Sequence, residues 1–261
     1  MRLTKMHGLG NDYIYVFGAP ESVESLAVKL SDRHFGIGAD GIIVIDRSDK
    51  ADFSMRIYNA DGSEAKMCGN GIRCVGKYVY DKGYTSKTEI TVETLSGIKT
   101  LLLTVDNGSV TSVQVDMGMT EVGELTELDA GGITVAVYPV SVGNPHAVTF
   151  VEDADSFDLC GIGPGVEKHP FFPDGVNAEF VQVIDEHTLR MRVWERGSGI
   201  TMACGTGATA SAAAAVKAGY CAANIPITVR LDGGELQIVI KDDGSALMTG
   251  PATMVFEGET V

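Results

Sequence analysis

The chain has 261 residues, 44% of them apolar, which is enough for one or two domains with a sizeable buried core. Lys and Arg number 20 against 35 Asp and Glu, a formal charge of −15. A surface that acidic repels phosphate backbones and anionic lipid headgroups, which argues against nucleic-acid and membrane-surface roles. Glycine is abundant, 32 of 261, but follows no three-residue period, so collagen-like and linker readings fail. The first six residues, Met1-Arg-Leu-Thr-Lys-Met6, contain no apolar core of the signal-peptide kind. The longest uncharged stretch, 197–216, is too rich in Gly, Ser and Thr to cross a bilayer. Five cysteines at 68, 74, 160, 204 and 221 form no Cys-x-x-Cys pair. Their odd number fits reduced thiols better than a disulfide framework or a zinc site, so a soluble cytoplasmic protein is expected.

In chain order, apolar-rich runs predict strands at 41–46, 53–58, 89–94, 99–105, 110–116, 133–142, 189–194 and 235–240. Turn signals at Asp106-Asn-Gly108, Asp129-Ala-Gly-Gly132 and Asp242-Asp-Gly244 suggest hairpins rather than βαβ crossovers. Helix-compatible stretches run over 71–82 and 207–218, each stopping before a glycine suited to a C-terminal cap, Gly83 and Gly219. The second carries no charge before Lys217 and should be buried on all sides.

The chain repeats itself. Met55-Arg-Ile-Tyr-Asn-Ala-Asp-Gly-Ser-Glu-Ala-Lys-Met-Cys-Gly-Asn-Gly71 aligns with Met191-Arg-Val-Trp-Glu-Arg-Gly-Ser-Gly-Ile-Thr-Met-Ala-Cys-Gly-Thr-Gly207, a shift of 191 − 55 = 136. Gly83-Tyr84 answers Gly219-Tyr220 at the same shift, and Gly10-Asn11 answers Gly143-Asn144. The expected fold is α+β: two pseudo-symmetric lobes, each a curved, mostly antiparallel sheet around a central helix. The first lobe covers 1–117 and the second 118–249.

The repeated Cys-Gly-x-Gly carries the chemistry. A Cys just before a helix meets unpaired backbone N–H groups and the positive end of the helix dipole, both of which lower a thiol pKa. The same N–H groups can hold a carboxylate, and the glycines let it come close. Two such elements, Cys68 and Cys204, suit a two-base proton exchange across one carbon, which inverts a stereocentre. Cys74, Cys160 and Cys221 read as small buried hydrophobes. Gly36-Ile-Gly-Ala-Asp-Gly41 matches a dinucleotide fingerprint, but a strand follows it where a helix is needed; Gly205-Thr-Gly-Ala-Thr-Ala210 opens a helix but lies a loop away from its strand. A thiol hydrolase would need a Cys–His pair, drawn from His7, His34, His146, His169 or His187. No segment has the ligand spacing of a metal site.

The segments Lys5-Met-His-Gly-Leu-Gly-Asn-Asp12, His34-Phe-Gly-Ile-Gly-Ala-Asp40, Tyr58-Asn-Ala-Asp-Gly-Ser63, Cys68-Gly-Asn-Gly71, Gly143-Asn-Pro-His146, Trp194-Glu-Arg-Gly197 and Ala203-Cys-Gly-Thr-Gly207 together resemble the diaminopimelate epimerases, along essentially the whole chain. The resemblance implies a cofactor-independent isomerase that interconverts LL- and meso-diaminopimelate on the way to lysine and peptidoglycan; it also implies a homodimer and a first lobe completed by the C-terminal strand at about 250–261. It makes Cys68 and Cys204 the catalytic bases. Gly69-Asn70 and Gly205-Thr206 become the helix-start groups that bind the reacting carboxylate. Asn11, Asn59, Asn144, Asn177, Glu195 and Arg196 become substrate contacts, and His146 and Glu195 tune the thiols. The residue types fit a substrate with two amino-acid heads: Arg196 can grip a carboxylate, while Glu195 and the Asn side chains satisfy ammonium. The pair of thiols is also expected to be sensitive to oxidation. Three positions depart from the pattern: Gly41 where some members have Gln, Trp194 where Tyr is frequent, and Thr209 where Cys is common. The alternatives are a proline- or hydroxyproline-type racemase of the same fold, which has no use for Arg196, and a non-catalytic amino-acid-binding protein.

Overall fold

Two thirteen-residue helices, each opened by a cysteine and closed before a glycine, organise the chain. The computed structural model describes residues 1–260. It divides into two compact units, Met1–Asp116 with Gly250–Val261, and Met117–Thr249. Among the described residues no helix is long and apolar enough to cross a membrane.

In the first unit β1 (Arg2–Gly8) and β2 (Asn11–Phe17) form an antiparallel pair. Helix α1 (Val23–Ser31) leads to β3 (Gly41–Arg47), parallel to β2, and β4 (Phe53–Asn59) turns back along β3. A short β5 (Glu64–Ala65) folds onto β4; α2 (Gly69–Asp81) then crosses to β6 (Glu89–Thr94), parallel to β4. Strands β7 (Gly97–Asp106) and β8 (Ser109–Met119) continue as an antiparallel meander.

The second unit begins with β9 (Glu121–Val122) and β10 (Thr126–Asp129), both paired with β11 (Thr134–Ser141). From there it repeats the first unit element for element. Strand β12 (Pro145–Phe150) is antiparallel to β11, and α3 (Leu159–Glu167) leads to β13 (Asn177–Asp185), parallel to β12. Strand β14 (Thr188–Glu195) is antiparallel to β13 and carries the short β15 (Gly199–Ile200); α4 (Gly205–Lys217) crosses to β16 (Ile227–Leu231), parallel to β14. Strands β17 (Gly234–Ile240) and β18 (Ser245–Gly250) close the meander. The last strand, β19 (Thr253–Glu259), belongs to the first unit and pairs antiparallel with β1. The buried Arg73 of α2 secures that return, donating from Nε to the Pro251 carbonyl at 3.1 Å and from Nη1 to the Gly69 carbonyl at 3.1 Å.

The sheets are mostly antiparallel, yet each unit contains two parallel pairs joined by helices, so the hairpin signals account for only part of the topology. Sequence patterning marks α2 and α4 but not α1 and α3, which cover the opposite sheet faces. Strand alternation sorts the two faces. Ile42 and Val44 pack with Ala27 and Leu30 of α1, whereas Ile43 lies under Gly71 of α2. In the second unit Ala178 and Phe180 pack with Leu159, Ile162 and Val166 of α3. The intervening Glu179 points the other way, toward Gly207 of α4.

Helices α2 and α4 start two residues earlier than the sequence pattern places them, because each cysteine is itself the N-cap. Their ends are alike too. Gly83 and Gly219 have φ of 74° and 79°, and the amides of Tyr84 and Tyr220 each donate to a carbonyl five residues back, Val79 and Ala215, at 2.9 Å. Helix α4 is buried at Gly205 and at nearly every position from Gly207 to Ala215, where alanines let the strands approach closely.

Replacing Phe180 by Ala should lower the unfolding free energy by about 3–5 kcal/mol in a urea titration, the cost of a large ring removed from a filled core. A loss under about 1 kcal/mol would mean that the α3 face is loosely packed.

Candidate active site

Each helix-opening cysteine has extended backbone, with φ/ψ of −140°/110° at Cys68 and −121°/110° at Cys204. Each sulfur accepts the amide N–H three residues on, from Gly71 and Gly207, both at 3.3 Å. The cysteine carbonyls take the first intrahelical bonds, from Ile72 and Ala208 at 2.9 Å. A thiol here occupies the place usually taken by a Ser, Thr, Asp or Asn oxygen. The amides of Gly69 and Asn70, and of Gly205 and Thr206, lie in the first turn of each helix, ahead of any helical carbonyl that could accept from them, a geometry suited to an anion.

In the first unit the Cys68 thiol donates to Asn11 Oδ1 at 3.3 Å. Asn11 cannot present its nitrogen instead, because its Nδ2 is held at 2.7 Å by Asp40, and an ionised carboxylate only accepts. Asp40 also accepts from the Asp12 amide and from Arg33, at 3.0 Å each. Asp12 in turn pairs with Arg33 at 2.7 Å and with the buried Lys5. Burial pushes the Asp12 carboxyl up, but hydrogen bonds and charge from Arg33 and Lys5 bring it below its usual range. Asn59 lies at the end of β4 and spends its side chain within its own turn, donating to Ser63 Oγ at 3.1 Å. Gly41 lies across from Asn59 in the ladder, and a Cβ there would run into the Tyr58 carbonyl, so the position admits no side chain without backbone movement.

The second unit joins its predicted residues into a network. His146 is buried, with Nδ1 at 2.7 Å from Glu179 Oε1 and Nε2 at 3.1 Å from Asn144 Oδ1. Asn144 Nδ2 donates to Thr206 Oγ1 at 3.4 Å, and that hydroxyl lies 3.5 Å from Cys204 Sγ. With both ring nitrogens engaged in this way, His146 is not the partner of a Cys–His hydrolytic dyad. Asn177 accepts from the Arg196 amide at 2.8 Å, and the Arg196 guanidinium donates to the Asp174 carbonyl at 2.9 Å while remaining exposed. Thr201 donates to Glu195. The loop after β14 is clamped from beneath by Glu167, which accepts from Trp194 Nε1 at 2.7 Å and from the Gly197 amide at 2.9 Å.

One electrostatic expectation is overturned. Position at a helix start suggests a lowered thiol pKa, but burial pushes Cys204 well above the ordinary thiol value, and the Glu195 and Glu179 carboxylates push it further. The Thr206 hydroxyl and the Gly207 amide pull the other way without winning. Cys74 is buried and pushed up to about 11. Cys221 is buried as well, whereas Cys160, read as a buried hydrophobe, is exposed at the start of α3. Sequence reasoning passed over Glu179, Glu167 and the orienting role of Asp40. The one available signal was a lone Glu inside the apolar run Asn177-Ala-Glu-Phe-Val181. Among the described residues no group of three or more His, Cys, Asp or Glu could hold a metal ion.

A family model for diaminopimelate epimerase matches residues 3–122 and 138–255. The chain belongs to the diaminopimelate epimerase family. Named relatives in that family are similar over nearly their full length. A diaminopimelate epimerase of Bacteroides thetaiotaomicron is 55% identical, covering 99% of this chain and 97% of its own. One from Acetivibrio thermocellus is 53% identical over 99% and 98%. Among solved structures, a probable proline racemase from Agrobacterium radiobacter has a TM-score of 0.75 at 18% identity, covering 100% of this chain and 92% of its own. A hydroxyproline epimerase from Agrobacterium vitis has a TM-score of 0.72 at 18% identity over 99% and 91%. At that identity the likeness speaks for a shared fold alone, the α+β fold of these epimerases.

Because Cys204 has a raised pKa, its alkylation by iodoacetamide in the ligand-free protein should climb about tenfold per pH unit from pH 7 to 8.5, with no plateau below pH 9. Mass spectrometry of the 197–217 tryptic peptide, which holds no other cysteine, reads this directly. A plateau below pH 8 would mean that the helix dipole outweighs burial.

Proposed function

We propose that the protein interconverts LL- and meso-diaminopimelate by two-base proton exchange, with Cys68 and Cys204 as the bases. The observation that carries the reading is the twin cap: two cysteine sulfurs in matching geometry, each beside helix-start amides suited to a carboxylate. Membership of the diaminopimelate epimerase family supports the choice of substrate.

Removing the α-proton of an amino acid leaves electron density that spreads into the carboxylate. The amides of Gly69, Asn70, Gly205 and Thr206 donate hydrogen bonds and partial positive charge at helix starts, so they stabilise that developing charge. One sulfur, as thiolate, takes the α-proton; the other, as thiol, delivers its proton to the opposite face of the same carbon. The sulfurs exchange protonation states in each turnover, and a return step restores them. Burial and two carboxylates favour the thiol form of Cys204, which suits it to donate to the isomer whose α-proton faces Cys68; the opposite isomer uses the reverse roles. Arg196 offers a fork for the distal carboxylate, with its backbone amide already fixed by Asn177. Asn11, Asn59, Asn144 and Glu195 complete the substrate contacts, and His146 acts on Cys204 through Asn144 and Thr206. The reading needs no cofactor. It carries a cytoplasmic location, consistent with five cysteines outside any disulfide, and a homodimer, which the family resemblance implies.

Incubating the reduced protein with LL-diaminopimelate in D₂O should place deuterium at the α-carbon as the meso isomer forms, with nothing else added. Cys68→Ser and Cys204→Ser should each lower kcat/KM by about 10²–10⁴-fold while circular dichroism is unchanged. Near-normal turnover in either variant would sink the two-base reading. Exchange of proline but not diaminopimelate would move the protein to the racemase alternative.

A further inference from the structure

Glu179 is a buried acid of the second unit to which the proposed reaction assigns no part. It lies on β13, one residue past the face that packs on α3, and is wholly inaccessible. One oxygen, Oε1, meets His146 Nδ1 at 2.7 Å; the other, Oε2, is buried with no hydrogen-bond partner. Buried carboxylates are expensive and are normally fully satisfied, so a half-satisfied one next to a reactive sulfur calls for a reason.

Two further distances supply it. A Cβ placed on Gly207 would lie 2.7 Å from Glu179 Oε1 and 3.1 Å from Cys204 Sγ. The notch left by that glycine therefore brings the carboxylate and the sulfur to the same spot under the start of α4. The proton positions on His146 follow from its partners. Asn144 spends Nδ2 on Thr206, so its Oδ1 must accept from His146 Nε2–H. The second ring nitrogen, Nδ1, anchors Glu179 Oε1, and the Glu179 carboxylate presents its negative charge toward Cys204. The other charged or titratable groups facing this cluster are Glu195 at the end of β14 and the Cys204 thiol itself.

We propose that Glu179 is a positioning residue for the Cys204 thiol: its buried carboxylate anchors the His146 ring, fixes the Asn144–Thr206 contacts against the sulfur, and sets negative charge beside that sulfur. In turnover this suits Cys204 to the donor role for the isomer whose α-proton faces Cys68, a consequence that rests on the epimerase reading above. Burial opposes the Glu179 charge and His146 supports it, so the pair is held together by each member's need for the other.

The test is the pH dependence of Cys204 alkylation in Glu179→Gln, read on the 197–217 tryptic peptide, with the Cys68 peptide, 67–73, followed in the same digest. Gln keeps the size and a hydrogen bond to the ring but removes the negative end. The midpoint for Cys204 should fall by about one pH unit, which is about tenfold faster alkylation at pH 8. A looser fold alone would raise reactivity at every pH without moving the midpoint. Glu179→Asp keeps the charge one methylene farther back, so its midpoint should lie between the other two, and it carries the test if the Gln variant does not fold. A midpoint at or above the wild-type value, in whichever of these variants folds, overturns the proposal. Absence of α-proton exchange in the unmodified protein would instead overturn the epimerase reading and leave the alkylation result standing.

Discussion

A sulfur that accepts an N–H at the start of a helix is the interaction on which the rest of this structure depends. It occurs twice, at Cys68 and Cys204, with the same bond length and nearly the same backbone angles. Each cap dictates a glycine three residues on, for different reasons: Ile43 crowds the site at Gly71, and Glu179 with the sulfur crowds it at Gly207. Each helix must then run between parallel strands, β4 to β6 and β14 to β16, which sets the crossover topology of its unit.

The two sulfurs share a frame but not an environment. Both have an asparagine in attendance, Asn11 and Asn144, yet the two amides turn opposite ends toward the reactive group. Asp40 holds the nitrogen of Asn11, so oxygen faces Cys68. His146 holds the oxygen of Asn144, so nitrogen faces Thr206 and, through its hydroxyl, Cys204. Carboxylates in each unit thus fix a neutral amide or an imidazole ring behind the sulfur, and in the second unit Glu195 and Glu179 also act on the sulfur's charge directly. Duplication preserved the backbone geometry of the caps and let the charges behind them diverge, which suits the proposed exchange, whose two half-steps need one thiol and one thiolate.

Much of this was legible in the chain. The 136-residue offset between Met55 and Met191 exposes the duplication, and a cysteine between an apolar run and a glycine-opened helix marks each cap. Gly83 and Gly219 mark the ends of the same helices. Helices α1 and α3 were not legible, because α1 is short and half-exposed, and α3 is broken up by Gly161, Gly163, Pro164 and Gly165, a composition that reads as loop. Glu179 escaped notice because only the strand's alternation, seen in place between α3 and α4, shows that it points toward a sulfur. Cys160, assigned to the core on residue type, lies on the exposed face of the first turn of α3.

What the sequence determined by itself is therefore local and repeated: which residues open and close the two central helices, where the backbone needs glycine, and which two thiols stand at equivalent places. These depend on hydrogen bonds among neighbours along the chain, and neighbours along the chain can be read. The ionisation of Cys204 was decided only by tertiary structure. A helix start favours the thiolate by a modest amount within its first turn, whereas burial and two carboxylates brought in from β13 and β14 act on the whole charge in a medium that screens it poorly. Desolvation belongs to whatever packs around a group, and no stretch of sequence around Cys204 contains that information.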